Sequence, residues 1–271
     1  MKYKVDFLKK DFAIALACVV LLLMGLGAVG DGGRRRAKEA VCLSNLRQWG
    51  AIFQAYTANN NGYFYSGEGS PGFWWVTQLE PCYKSYKQKI WFCPTATKPL
   101  FDEFGNSTGQ WNVSSAWGIY TEQYHSGLRP GIAGSYGLNA YVLNPTGTSS
   151  SFEGGRNIAN NWRTPNVEGG NNIPVFTDCL RFDGWPLETD SPPPIEDMAW
   201  MSNNHIARAC INRHNGAVNV LFMDWSARKV GLKELWTLKW HRTFNTNGPY
   251  TMAGGVQPNN WPQWMRNFKN Y

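Results

Sequence analysis

The chain has 271 residues, 17% of them charged and 15% aromatic, with 14 Trp and a formal net charge of +7. Lys2, Lys4, Lys9, Lys10, Arg34, Arg35, Arg36 and Lys38 face only Asp6, Asp11 and Asp31, which leaves +5 in the first 38 residues and +2 over the rest. This argues against a nucleic-acid partner, which needs basic side chains clustered on the folded part, and fits charges that flank a membrane segment.

The first element is the uncharged run from Phe12 to Gly30. As an α-helix it reaches roughly 28 Å, the thickness of a bilayer's hydrocarbon core. It has no polar face, unlike a helix packed on a soluble core. Phe12, Leu16, Val19, Leu22, Leu23, Leu26 and Val29 are its candidate lipid or subunit contacts. A signal peptide cleaved after the small residues of Ala28-Val29-Gly30 is the competing reading, but the run is long for one. The expected location is the cytoplasmic membrane, single-pass, with the rest of the chain periplasmic or extracellular. Residues 1–33 then form the basic flank and membrane or assembly helix, and residues 34–271 the globular part.

After a glycine-rich break at Gly30, Gly32 and Gly33, the spacing predicts an amphipathic helix over 34–59. Leu43, Leu46, Trp49, Phe53 and Tyr56 form one stripe, with Arg35, Lys38, Asn45 and Gln48 among the polar positions between. Asn59-Asn60-Asn61-Gly62 stops it. A loop-rich β region is expected over 60–244. Ile90–Cys93, Ser135–Leu143 and Ile173–Asp178 are its short strand candidates, and Gly-, Asn- and Ser-rich stretches such as 144–172 are its surface loops. Ala217–Met223 and Ala227–Val230 predict a hairpin. Val218, Val220 and Phe222 share one face of its first strand and Leu221 and Met223 the other, so that strand is covered on both sides. Residues 231–244 read as a C-terminal helix. The tail 245–271 reads as irregular, packed by Trp261, Trp264 and Phe268. The fold class is α+β.

Arg34-Arg-Arg-Ala-Lys-Glu-Ala-Val-Cys-Leu-Ser-Asn-Leu-Arg-Gln48, Ile90-Trp-Phe-Cys-Pro94, Ser135-Tyr-Gly-Leu-Asn139 and Arg213-His-Asn-Gly216, with Asp224 ten residues after His214, follow a basic, apolar leading helix. In this order they resemble the type IV pilin-like and type II secretion pseudopilin-like proteins that carry a prepilin-type H-X9-DG domain. The resemblance implies a pilin-like fold, in which a long N-terminal helix lies across an antiparallel sheet. It also implies a non-enzymatic subunit, held in the inner membrane, that associates with itself or with other pseudopilins. His214, Asn215, Gly216 and Asp224 are its structural motif. The chain departs from that pattern at Asp11, where prepilins carry Gly, at Leu16, where they carry Glu, and at Trp225, where the turn glycine stands. A two-residue primed turn needs positive φ, which is costly for Trp, so a wider or differently typed turn is expected there.

Cys42, Cys82, Cys93, Cys179 and Cys210 lie beyond the apolar run, without CxxC spacing. Outside the cytoplasm Cys82–Cys93 and Cys179–Cys210 are the first disulfide candidates, with Cys42 left over; buried free thiols are the alternative. His214 and Asp224 are separated by extended strand, so they are expected to tie down turns rather than share a proton. His125, His205 and His241 show no ligand spacing. No cofactor is expected. Calcium is the one alternative, at Asp178, Asp183, Asp190, Glu196 and Asp197, although their spacing matches no defined loop. Trp74 and Trp75, with Trp111, Trp117, Trp162, Trp185 and Trp200, offer a second function, stacking on polysaccharide if exposed.

Overall fold

The computed structural model describes residues 12, 14, 16, 30–67, 75–83, 88–99, 112–119, 132–148, 152, 156–196 and 203–271. The chain divides into two compact units, Met1–Lys38 and Glu39–Tyr271. In the first, Phe12, Ile14 and Leu16 are helical, with 71%, 63% and 54% of their surfaces exposed. Val19, Leu22, Leu23, Leu26 and Val29 lie outside the described residues.

Helix α1 spans Asp31–Asn59 and so begins before Arg34. Gly32 and Gly33 do not break it. Gly33 and Arg34 donate to the Gly30 carbonyl, and Asp31 places a carboxylate in the first turn, where it favours the helix dipole. Its end is the one the sequence predicts. Asn61 and Gly62 take φ of 54° and 82°, and Gly62 N–H returns to the Thr57 carbonyl at 2.8 Å. The buried stripe is Cys42, Asn45, Leu46, Trp49, Gly50, Ile52, Phe53 and Thr57. Leu43 is only half-buried, and Asn45, a polar position in the expected pattern, turns inward because its Nδ2 donates to the Phe92 carbonyl at 3.0 Å.

Two sheets follow. β1 (Lys98–Pro99), β2 (Ser115–Ile119) and β3 (Ile132–Gly134) form a small sheet that no residue pattern predicts. β4 (Tyr136–Asn139), β5 (Pro174–Asp178), β6 (Asp183–Gly184), β7 (Ala217–Phe222) and β8 (Ala227–Gly231) form the main sheet, in the order β6-β4-β5-β7-β8. All its pairings are antiparallel except β4 with β6. The architecture is therefore α+β, with one N-terminal helix and mixed sheets.

Strand β7 is interior and buried along its whole length. Leu221 and Met223 join the core around Leu46, Trp49, Phe53 and Phe176. Val218, Val220 and Phe222 join a second core with Val230, Leu235, Trp236, Trp240, Trp261 and Met265. The β7–β8 connection is the wider turn expected. Trp225 N–H bonds the Phe222 carbonyl, Phe222 N–H bonds the Ser226 carbonyl, and Trp225 itself takes φ +66°. A turn closed by one left-handed residue is the three-residue hairpin pattern. Trp225 occupies it although the position favours Gly, and its ring lies 6.3 Å from that of Phe64.

Three expected elements differ. Ile90–Cys93 is not a strand, because Gln88–Trp91 forms a 3-10 turn whose Ile90 carbonyl is taken by the Trp49 indole and whose Trp91 carbonyl is taken by Ser135 N–H. Strand β4 stops at Asn139, whose side chain caps the 3-10 turn Ala140–Val142 by accepting from Tyr141 N–H. The C-terminal helix over 231–244 is only a 3-10 turn, Leu232–Thr237, with Glu234 accepting from Gly231 N–H. A longer helix would need backbone groups that tertiary contacts consume. Lys239 N–H goes to Asn172, Arg242 N–H to Asn160, and the Trp240 carbonyl accepts from Asn139 and from the Trp162 indole.

The tryptophans form the core. Trp49 meets Trp75, Trp91 and Phe176 with ring centroids 5.4, 5.2 and 5.3 Å apart, and Trp75 stacks on Trp91 at 5.4 Å. Three of these indoles also donate to backbone carbonyls, Trp49 to Ile90, Trp75 to Phe182 and Trp117 to Tyr136, whereas the buried Trp261 N–H has no partner among the described residues. Replacing Trp49 with Ala should cost about 3–5 kcal/mol, measured by urea denaturation, because it empties the centre of this cluster.

Candidate functional site

Four segments converge beneath the sheet, between α1 and the start of β7. Cys42 comes from α1, Cys93 from the turn after Trp91, Asp178 from the end of β5, and Arg213 and His214 from the segment entering β7. Asn215 and Gly216 take φ of 53° and 77°, a consecutive positive pair that suits Asn-Gly. This reversal is held by His214 N–H to the Ala217 carbonyl and Gly216 N–H to Asn212 Oδ1. It points the two cationic side chains back toward β5.

Asp178 is the centre. Its Oδ1 lies 3.2 Å from Arg213 Nη1, and its Oδ2 lies 3.1 Å from His214 Nε2 and 2.8 Å from Asn219 N–H. Both oxygens are 3.8 Å from Cys42 Sγ. His214 Nε2 is also 3.4 Å from Cys93 Sγ, and the Tyr136 hydroxyl donates to Cys42 Sγ at 3.3 Å. Arg213 spends its remaining donors on the carbonyls of Val113, Ser115, Ser135 and Cys179. All of these side chains are buried.

Burial opposes charge here, and the partners overcome it. Burial alone would raise Asp178, but His214, followed by Arg213 and the Asn219 amide, holds its carboxyl below the ordinary carboxylate value. Burial works against the His214 imidazolium too, yet Asp178, aided by Cys93, pushes it up to about 10. The hydrogen bond from Cys42 lowers Cys93 to about 6 despite burial, with help from His214 and Arg213. Burial and the neighbouring Cys93 and Asp178 push the Cys42 thiol well up.

A thiol, an imidazole and a carboxylate in series form the pattern of an activated nucleophile. Here Cys93 exposes none of its surface and His214 only 4%, so no substrate reaches the sulfur as the site stands. Among the described residues, Cys42, Cys93, Asp178 and His214 form the one group of His, Cys, Asp and Glu side chains close enough to hold a metal ion.

The structure corrects several expectations. His214 does not pin a turn through its ring, which is drawn inward by the Asp178 charge. Asp224 does pin one, accepting from Ser226 N–H and Oγ–H at 3.0 and 2.7 Å. Cys82, Cys93, Cys179 and Cys210 are free thiols, like Cys42. Cys93 faces Cys42 and His214 instead of Cys82, and Cys210 packs on Met265 instead of Cys179. Leu46, Trp49 and Phe53 do seat α1, as expected. Trp74, Trp111 and Trp200 lie outside the described residues, whereas Trp75, Trp117, Trp162 and Trp185 are buried, so none of those four offers a flat sugar platform. The carboxylates that could have served calcium are dispersed: Asp183 pairs with Arg181, Asp190 accepts from Leu187, His205 and Ile206 N–H groups, and Glu196 accepts from Asn212. Asp197 and His125 lie outside the described residues.

No family model, no curated protein and no solved structure matches this chain.

Replacing Asp178 with Asn should destabilise the fold by about 3–5 kcal/mol in urea denaturation, because it strands two buried cations. Mild acid should act first through a different residue. His205 Nδ1 accepts from Trp185 N–H at 3.0 Å, and burial, then Arg208, Arg156 and Arg181, lower its pKa to about 3. An unfolded histidine titrates near 6.5. The stability gained from a neutral His205 is therefore complete above about pH 6.5 and is lost as pH falls toward about 3. The urea midpoint should fall over that window, and less steeply in His205→Gln.

Proposed function

We propose that this chain is a non-enzymatic, membrane-anchored pseudopilin-like subunit of a cell-envelope secretion or pilus-like fibre assembly. The observation that carries the reading is the uncovered apolar surface of its first unit. Phe12, Ile14 and Leu16 are helical yet expose 71%, 63% and 54% of their surfaces. Large apolar side chains left in water are unfavourable by roughly 1.5–3 kcal/mol each, so lipid or a second copy is the natural cover. Among the described residues no helix is long and apolar enough to cross a membrane; most of the run from Phe12 to Gly30 lies outside them. The α+β globular unit, with one helix packed on a sheet, is compatible with a pilin-like head. In this reading the subunit sits in the cytoplasmic membrane with residues 34–271 outside, and its partners are the bilayer and other pseudopilin-like chains. The polysaccharide alternative has no support in the buried indoles of Trp75, Trp117, Trp162 and Trp185.

Leu22→Lys tests the anchor. A lysine at the middle of a membrane helix costs about 2.5–3.5 kcal/mol of insertion free energy. The variant should shift from the membrane pellet to the soluble fraction, or out of fibres. Fractionation identical to that of the parent chain would remove the anchoring role.

A further inference from the structure

We propose that Cys42, Cys93, Asp178 and His214 bind one zinc-class divalent cation that staples α1, the turn that begins at Cys93, β5 and the entry to β7. One ligand atom from each residue lies within 4.8 Å of all the others. A tetrahedral zinc ion with bonds of about 2.3 Å to sulfur and 2.0–2.2 Å to nitrogen or oxygen separates its ligand atoms by about 3.3–3.8 Å. Here Cys42 Sγ and Asp178 are 3.8 Å apart, Cys93 Sγ and His214 Nε2 are 3.4 Å apart, and His214 Nε2 and Asp178 Oδ2 are 3.1 Å apart. Two of these three separations fall in that range, the third is slightly shorter, and the remaining pairs lie within 4.8 Å, so modest side-chain shifts bring the four atoms onto one ion.

The donor set selects the ion. Two sulfurs and one imidazole disfavour calcium and magnesium, which take oxygen ligands, and suit zinc. Four protein ligands with no open position make a structural site rather than a catalytic one. A second layer of contacts is in place. Tyr136 donates to Cys42 Sγ, and Arg213 and the Asn219 amide donate to Asp178. Charge also balances. Two thiolates and a carboxylate around a dication leave one negative charge, and the buried Arg213 guanidinium beside Asp178 cancels it. On binding, the ion replaces the thiol and imidazole protons, which are released to solvent.

The test uses the full-length chain, purified in detergent under reducing conditions without metal-chelating resin. Elemental analysis should find about one zinc per chain. Exchange for Co²⁺ should give thiolate-to-cobalt charge transfer in the near ultraviolet and the visible bands of a tetrahedral centre. These signals should vanish in Cys93→Ser. Should that variant fail to fold, Tyr136→Phe gives the second reading, since loss of an outer contact should weaken zinc binding about tenfold in chelator competition while leaving one ion per chain. Folded parent chain that takes up neither zinc nor cobalt overturns the proposal, as does a Cys42–Cys93 disulfide in peptide maps of natively isolated chain. Neither result bears on anchoring, which membrane fractionation reads separately.

Discussion

The Asp178 carboxylate, buried between the Arg213 guanidinium and the His214 imidazole, is the interaction on which the globular unit depends. It sits where α1, β5 and β7 meet, and it cannot be dry and charged without those two cations. Each cation in turn needs the backbone around it. Arg213 ties together carbonyls from the strand Ser115–Ile119, from Ser135 and from Cys179, segments otherwise joined by long connections. The register of helix on sheet is thereby set by polar geometry as well as by the apolar stripe of α1.

Around that centre the aromatic residues supply bulk. A chain with few regular elements has few repeating backbone hydrogen bonds to hold distant loops. An indole can solve two problems at once, because it fills volume and can donate one hydrogen bond to a loop carbonyl. Trp49 to Ile90, Trp75 to Phe182, Trp162 to Trp240 and Trp236 to Asp190 are such clamps. Irregular backbone can lie over a dense core here because its carbonyls are answered from below.

What could be read from the sequence was what depends on neighbours along the chain. The stop of α1 at Asn61 and Gly62, the two-sided burial of β7 and the widened turn at Trp225 are all local patterns. The 3-10 turn at Leu232–Thr237 looks like part of a helix because its apolar spacing is helical, while the competing bonds come from Asn172, Asn160 and Asn139, far away in sequence. The candidate site was half-legible. The segments that carry the family resemblance hold Cys42, Cys93, Ser135, Tyr136, Arg213 and His214, and the fold gathers all of them around Asp178. Nothing in the spacing of Cys42 and Cys93 says that they meet each other, because their proximity is created by α1 crossing the sheet. The small sheet over Ser115–Ile119 and Ile132–Gly134 has pairing partners that no alternation in the sequence marks.

The two flanks of the main sheet differ in how they end. On one side β6 contributes only Asp183–Gly184. On the other, β8 carries Arg228 and Lys229, engaged with Glu234 and Glu39 at 2.6 and 2.8 Å. A two-residue stub and a charged border are both poor templates for a foreign strand. Neighbouring molecules are thus discouraged from extending this sheet into a continuous ribbon. Crowded copies of the globular unit should therefore remain separate bodies.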